Sequence, residues 1–157
     1  LQFGPRQVIA VDVLPNRLVL AKQFGGRPID ARQGQVVEQI QNATGGAGAD
    51  VVIEAIGNQD TFSDALQSVR RGGTLSVVGL FPGPVDFPLQ NLAITGLRLS
   101  IGLGNLSRMN QLMSIIESGR VDLSPLVTQT FALDDALEAY DLFENQKEKC
   151  IKVLLKP

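Results

Sequence analysis

The residue best placed to do chemistry is Asp12, which ends the short run Val8-Ile9-Ala10-Val11. A carboxylate at the tip of a buried parallel strand accepts hydrogen bonds from two neighbouring sugar hydroxyls and repels a phosphate on the same sugar. A plainer alternative is an acid that serves the start of the helix opening near Pro15. Glu54 closes a second apolar run, Val51-Val52-Ile53, and reads as a buried strand-end acid with a partner. The chain has no histidine, and Cys150 is its one cysteine. Zinc sites of the usual kinds and Ser-His-Asp or Cys-His catalysis are therefore closed to it, so no catalytic or metal-binding residue is assigned.

These residues sit in a chain that alternates strands with helices. Pro15 suits the first turn of a helix whose Leu18, Ala21 and Phe24 share a face until Gly25-Gly26 stops it. Arg27–Ala31 is a weak strand, and Val36, Val37, Ile40 and Thr44 repeat at helical spacing. Asp50–Ala55 is a clear strand. Phe62, Ala65, Leu66 and Val69 then mark a helix closed by Gly72-Gly73, and Leu75–Gly79 is the next strand. Phe81–Pro88 holds three prolines and reads as a loop, followed by a strand over Leu97–Leu103. A helix capped by Ser107 should bury Met109, Leu112, Met113 and Ile116. After a loop, a helix opened by Leu133-Asp134 should bury Ala136, Ala139, Tyr140 and Phe143, and Ile151–Leu155 is a terminal strand. Asp134-Asp135 reads as that helix's cap, and Cys150 as a small apolar residue. Near-continuous apolar strands alternating with helices predict an α/β protein with a parallel sheet covered by helices on both faces.

In a Rossmann unit the acid at the tip of the second strand follows a G-x-G-x-x-G loop by roughly twenty residues. Only eleven residues precede Asp12. The fold expected is thus an incomplete Rossmann fold over 1–157, with Leu1–Gly4 as the last turn of a helix and the glycine loop and first strand outside this sequence. Gly102-Leu103-Gly104-Asn105-Leu106-Ser107 imitates such a loop, but it ends in Ser, and the acid after it, Asp122, lies in a turn. The plainer reading is a strand-to-helix turn. Net charge is −2 and the 14 Lys and Arg are scattered, so no nucleic-acid partner is expected. No apolar run reaches membrane length and Leu1–Gly4 offers no leader, which with the single cysteine gives a cytoplasmic expectation.

Several motifs occur in a familiar order: Val8–Asp12, Leu20–Gly25, Gly48–Glu54, Gly72–Gly79, Gly119–Thr128, Ala136–Phe143 and Ile151–Pro157. Over essentially its whole length the chain resembles the C-terminal, NAD-binding part of medium-chain, zinc-dependent alcohol dehydrogenases, including sorbitol- and threonine-dehydrogenase-like members. The resemblance implies that Asp12 holds the adenosine ribose of NAD with Arg17 beside it. It places Ala55, Ile56 and Gly57 along the adenine and ribose cleft, and Val78, Gly79 and Leu80 under the nicotinamide ribose. Backbone at Gly102, Leu103 and Gly104 would meet the nicotinamide amide, and Lys152 would approach the pyrophosphate. Zinc would belong to a catalytic domain outside these residues, so the chain alone is expected to be inactive, with NAD binding weakened or lost.

Three further expectations follow. With the first Rossmann strand outside the sequence, Val8–Asp12 and Val51–Ala55 each want a neighbour. Either they pair directly, or Ile151–Leu155 fills the gap, from this chain or by swapping from a partner. A homodimer is expected through the edge strand Leu97–Leu103. Two alternatives stay open: a structural or interaction module that no longer binds cofactor, and a zinc-free quinone-reductase relative, against which Asp12 speaks because such enzymes favour NADP.

Overall fold

The computed structural model describes residues 4–103 and 106–157. Most of the helical turn expected at Leu1–Gly4 thus lies outside the described residues. In chain order the elements are β1 (Ile9–Asp12), α1 (Pro15–Gln23), β2 (Arg27–Asp30), α2 (Val36–Ala43), β3 (Ala49–Glu54), α3 (Gln59–Ser68), β4 (Val69–Val77), α4 (Leu89–Leu92), β5 (Arg98–Ile101), α5 (Met109–Glu117), β6 (Val127–Ala132), α6 (Ala136–Asn145) and β7 (Lys152–Lys156). Every strand pair is parallel. The chain divides into two units, Leu1–Gly34 with Leu106–Pro157, and Gln35–Asn105.

In the first unit, β1 and β2 pair in register from Ile9↔Arg27 to Asp12↔Asp30. The crossover is α1, with Pro15 in its first turn, where a fixed φ and a missing N–H cost nothing. The Gly25 and Gly26 amides close α1 by donating to Lys22 and Ala21 carbonyls. Its buried residue is Leu20, while Leu18 and Ala21 are half-buried and Phe24 is exposed, so the helix is turned from the face expected. The other half of this unit is a β6–α6–β7 crossover. Strand β6 was expected to be loop. Within it Gln129 and Phe131 are half-buried while Thr128, Thr130 and Ala132 are exposed, the alternation of a strand with one covered face. Ala139 and Cys150 are buried here, but Tyr140 and Phe143 are exposed, contrary to the expected core.

Helix α5 carries the larger correction. Met109, Leu112, Met113 and Ile116 share a face at helical spacing, yet each is exposed, from 36% to 52%. Its N-cap is Arg108, after a 3-10 turn over Leu106–Arg108, rather than Ser107. Asp134 and Asp135 lie in a short 3-10 turn before α6, and Asp135 at its N-cap makes no side-chain capping bond. Their charge still suits a helix N-terminus.

In the second unit, β4 runs between β3 and β5. The sheet packs on α3 through Phe62, Ala65, Leu75 and Val77, with Val52, Leu66, Phe81, Val85 and Leu97 around them. Leu75 is fully buried. Strand β4 begins at Val69, earlier than expected, because Gly72-Gly73 is not a stop. The register passes from Ala49↔Val69 to Val51↔Thr74, and the irregularity absorbs the glycines.

On the flank of α3, burial and then the neighbouring Asp60 push the Asp64 carboxyl above its ordinary value of 3.8. The folded state then holds this proton more tightly than the unfolded chain. Stability is therefore lost as pH rises from 3.8 through the raised folded value. Asp64→Asn is expected to raise the urea midpoint at neutral pH and to lose that advantage towards pH 3.8. Parallel unfolding curves at both pH values, with no difference between them, would refute it.

Among the described residues β1 pairs with β2 alone, β3 with β4 alone, and β7 with β6. The reason for β7 is local: β6 offers it a parallel partner across one helix, in register from Val127↔Lys152 to Ala132↔Lys156.

Candidate functional site

At the tip of β1, the Asp12 carboxylate does two things. Its Oδ1 accepts hydrogen bonds from the Val13 and Leu14 amides at 2.8 and 2.9 Å, which serves the start of α1, where Leu14 has no capping side chain. The plainer reading of this acid is thus part of the answer. Its Oδ2 lies 3.6 Å from Arg17 Nη1, outside hydrogen-bonding distance, and the side chain is 23% exposed. One carboxylate oxygen therefore remains to accept from a ligand, with Arg17 beside it. The register sets Asp30 next to Asp12 on β2. Arg32 grips Asp30 through Nε and Nη2 at 2.9 and 2.7 Å and holds that carboxyl below its ordinary value.

The second unit brings three of the expected segments to one end of a sheet. The pairings Glu54↔Val77 and Val77↔Ile101 align the ends of β3, β4 and β5. Ala55–Gly57, Val78–Leu80 and Gly102-Leu103 leave from that common edge. In an open parallel α/β sheet this edge is where ligands bind. Ile56, Val78, Leu80 and Leu103 are exposed there at 62%, 48%, 76% and 79%. Gly57 is buried, and Gly79 is half-buried. Gly104 lies outside the described residues.

The residue that organises this edge is Glu54, which is 3% exposed. Its Oε1 accepts from the Ile56 and Gly57 amides, both at 2.9 Å, and from the Thr61 hydroxyl at 2.8 Å. Asn58 caps α3 by accepting from the Thr61 amide at 2.9 Å. Sequence reading had given Glu54 only a partner and had not seen Thr61. The available signal was Asn58-x-x-Thr61, a cap spacing directly after a strand-end acid.

Lys152 belongs to the first unit. It opens β7 and lines a cavity of about 220 Å³ with Ala139, Tyr140, Phe143, Val153 and Leu155. Zinc does not fit this chain's residues. There is no histidine, and the one cysteine is buried against the Thr128 hydroxyl, 3.8 Å away. Among the described residues no group of three His, Cys, Asp or Glu could hold a metal, and no helix is long and apolar enough to cross a membrane.

Parallel strands joined by helices, with an acid at one strand tip and loops converging on a common edge, define an α/β protein of the Rossmann-like class. The chain belongs to the zinc-binding dehydrogenase family, whose pattern matches residues 2–118. It is 40% identical over 160 residues to an alcohol dehydrogenase of Cupriavidus necator, covering 98% of this chain and 43% of that protein. It is 35% identical over 159 residues to the sorbitol dehydrogenase of Bacillus subtilis, covering 99% and 44%. Among solved structures, an alcohol dehydrogenase from Thermus sp. ATN1 superposes with a TM-score of 0.93 at 34% identity, covering 98% of this chain and 45% of that one. The chain thus spans a little under half the length of these relatives.

Proposed function

We propose that this chain is the NAD-binding portion of a zinc-type alcohol dehydrogenase, and that it has no turnover of its own. The observation that carries the reading is Asp12: a strand-tip carboxylate with Oδ1 spent on the backbone and Oδ2 left for a ligand beside Arg17. Two adjacent ribose hydroxyls suit that oxygen, and a phosphate on the same ribose does not. On the same reading, Ala55, Ile56, Val78, Leu80 and Leu103, at the shared edge after β3, β4 and β5, would offer a cofactor apolar contacts. Bound NAD would accept hydride, while the chain's residues orient it and exclude water. In the whole protein the substrate is an alcohol, oxidised to an aldehyde or ketone, and the zinc ligands lie outside these 157 residues. The same reading pairs two copies through the open edge of β5, gives Lys152 to the pyrophosphate, treats the chain as one cofactor-binding domain and puts it in the cytoplasm.

Calorimetric titration tests the proposal. NAD is expected to bind at millimolar concentration or tighter, and NADP more weakly. Asp12→Ala should weaken NAD roughly tenfold, the value of a hydrogen bond or two to a charged acceptor, and should narrow the preference over NADP. A wild-type chain that takes up no NAD at millimolar concentration, or an Asp12→Ala variant that binds equally well, would leave the interaction-module reading in its place.

A further inference from the structure

A glycine turn leading into a helix N-terminus is a geometry that cradles anions: its amides converge, and the first turn of the helix adds a positive end. The turn from β3 to α3 has this form, with Gly57 at φ +91° and the ten-residue α3 starting at Gln59. Two amides of the turn are already taken. Those of Ile56 and Gly57 donate to Glu54 Oε1, as does the Thr61 hydroxyl. The other oxygen, Oε2, is fully buried and has no hydrogen-bond partner among the described residues. It faces the segment after β4, where a side-chain carbon built on Gly79 would collide with it and with Gly57. The Glu54 carbonyl also accepts from the Val78 and Gly79 amides at 2.8 and 3.2 Å. One residue therefore holds the loop after β3 with its side chain and the loop after β4 with its main chain, and its orphaned oxygen is pressed between them.

We propose that Glu54 is a built-in anion. It fills the anion-binding turn between β3 and α3 and locks the two loops into a single lip. It is a positioning residue. On the NAD reading, which this part of the inference rests on, a dinucleotide meets this lip through sugar, base and apolar contacts with Ile56 and Leu80, and its phosphates are kept elsewhere. A buried carboxylate is tolerated here because three donors converge on it and a helix N-terminus lies alongside.

The test is amide hydrogen exchange on the full chain, with Glu54→Ala and Glu54→Gln. In Glu54→Ala, the amides of Ile56, Gly57, Val78 and Gly79 are expected to exchange roughly tenfold faster or more, both loops together. Sodium formate should slow them again by filling the vacated position, whereas chloride at equal ionic strength should not. Wild type should respond to neither salt. Acceleration confined to Ile56 and Gly57 overturns the lock, and the same salt response with formate and chloride overturns the built-in anion. If Glu54→Ala does not fold, Glu54→Gln carries the test, because it keeps the shape but removes the charge. Its Gly57 and Gly79 amides must then accelerate together, and unchanged rates at Gly79 refute the proposal. A wild-type chain that binds no NAD would defeat the cofactor reading and leave these exchange results standing.

Discussion

Gly57→Ala is expected to cost about 3–5 kcal/mol of folding stability, from a φ that alanine rarely adopts and a backbone collision that cannot be relieved. Gly57 has φ +91°. A methyl group there would overlap the Leu80 carbonyl oxygen and come within 2.7 Å of the Leu80 carbonyl carbon and 2.8 Å of its nitrogen. These are main-chain atoms, so no rotamer change makes room. The segment cannot retreat either, since Val78 and Gly79 are tied to the Glu54 carbonyl. Gly83→Ala is the matched control: nothing lies within 4 Å of its added carbon, and a change within about 0.5 kcal/mol is expected. Urea unfolding of both variants checks the contrast. Equal midpoints would show that the two loops do not pack as described.

Phe62→Ala is expected to cost about 3–5 kcal/mol as a large-to-small change in a closed core. Phe62 is 4% exposed and belongs to the cluster with Ala65, Leu75 and Val77. It also meets Phe81 edge-on, with ring centroids 5.8 Å apart at 84°, and Phe87 at 6.1 Å. Both partners come from the proline-containing segment after β4, so the cavity would open beneath that segment as well as under the sheet. Tyr140→Ala offers a comparison of similar size, because Tyr140 is 69% exposed and should matter little. A loss below about 1 kcal/mol for Phe62→Ala would mean that α3 does not seal this core.

How much of this was legible depended on the range of the forces involved. Strands β1 and β3 announce themselves as apolar runs, and α3 by its spacing, because those patterns are local. Strand β6 was hidden by a short polar alternation after Pro125, too weak to separate from loop until β7 is seen beside it. The early start of β4 was masked by Gly72-Gly73, which punctuates a chain in isolation but is carried through by the pairing with β3. Periodicity identified the faces of α5 and α6 but cannot say whether anything covers them, and Met109, Met113, Tyr140 and Phe143 are exposed. At the site, Asp12 was readable from its strand end, whereas Arg17 beside it came only with the family resemblance. The role of Glu54 was not, since it depends on β4 returning alongside β3 to set Gly79 against the carboxylate.

The pairing of Asp12 with Asp30 affects how a charged molecule approaches. Two bare acids abreast would repel a pyrophosphate from afar. Here each has its own guanidinium, Arg17 at 3.6 Å and Arg32 at 2.7 Å, so at distances beyond a Debye length of about 8–10 Å the corner is close to electrically silent. Arg32 clasps Asp30 through hydrogen bonds, whereas Arg17 pairs with Asp12 at 3.6 Å without one. The negative oxygen of Asp12 is then felt only by a molecule that has already arrived.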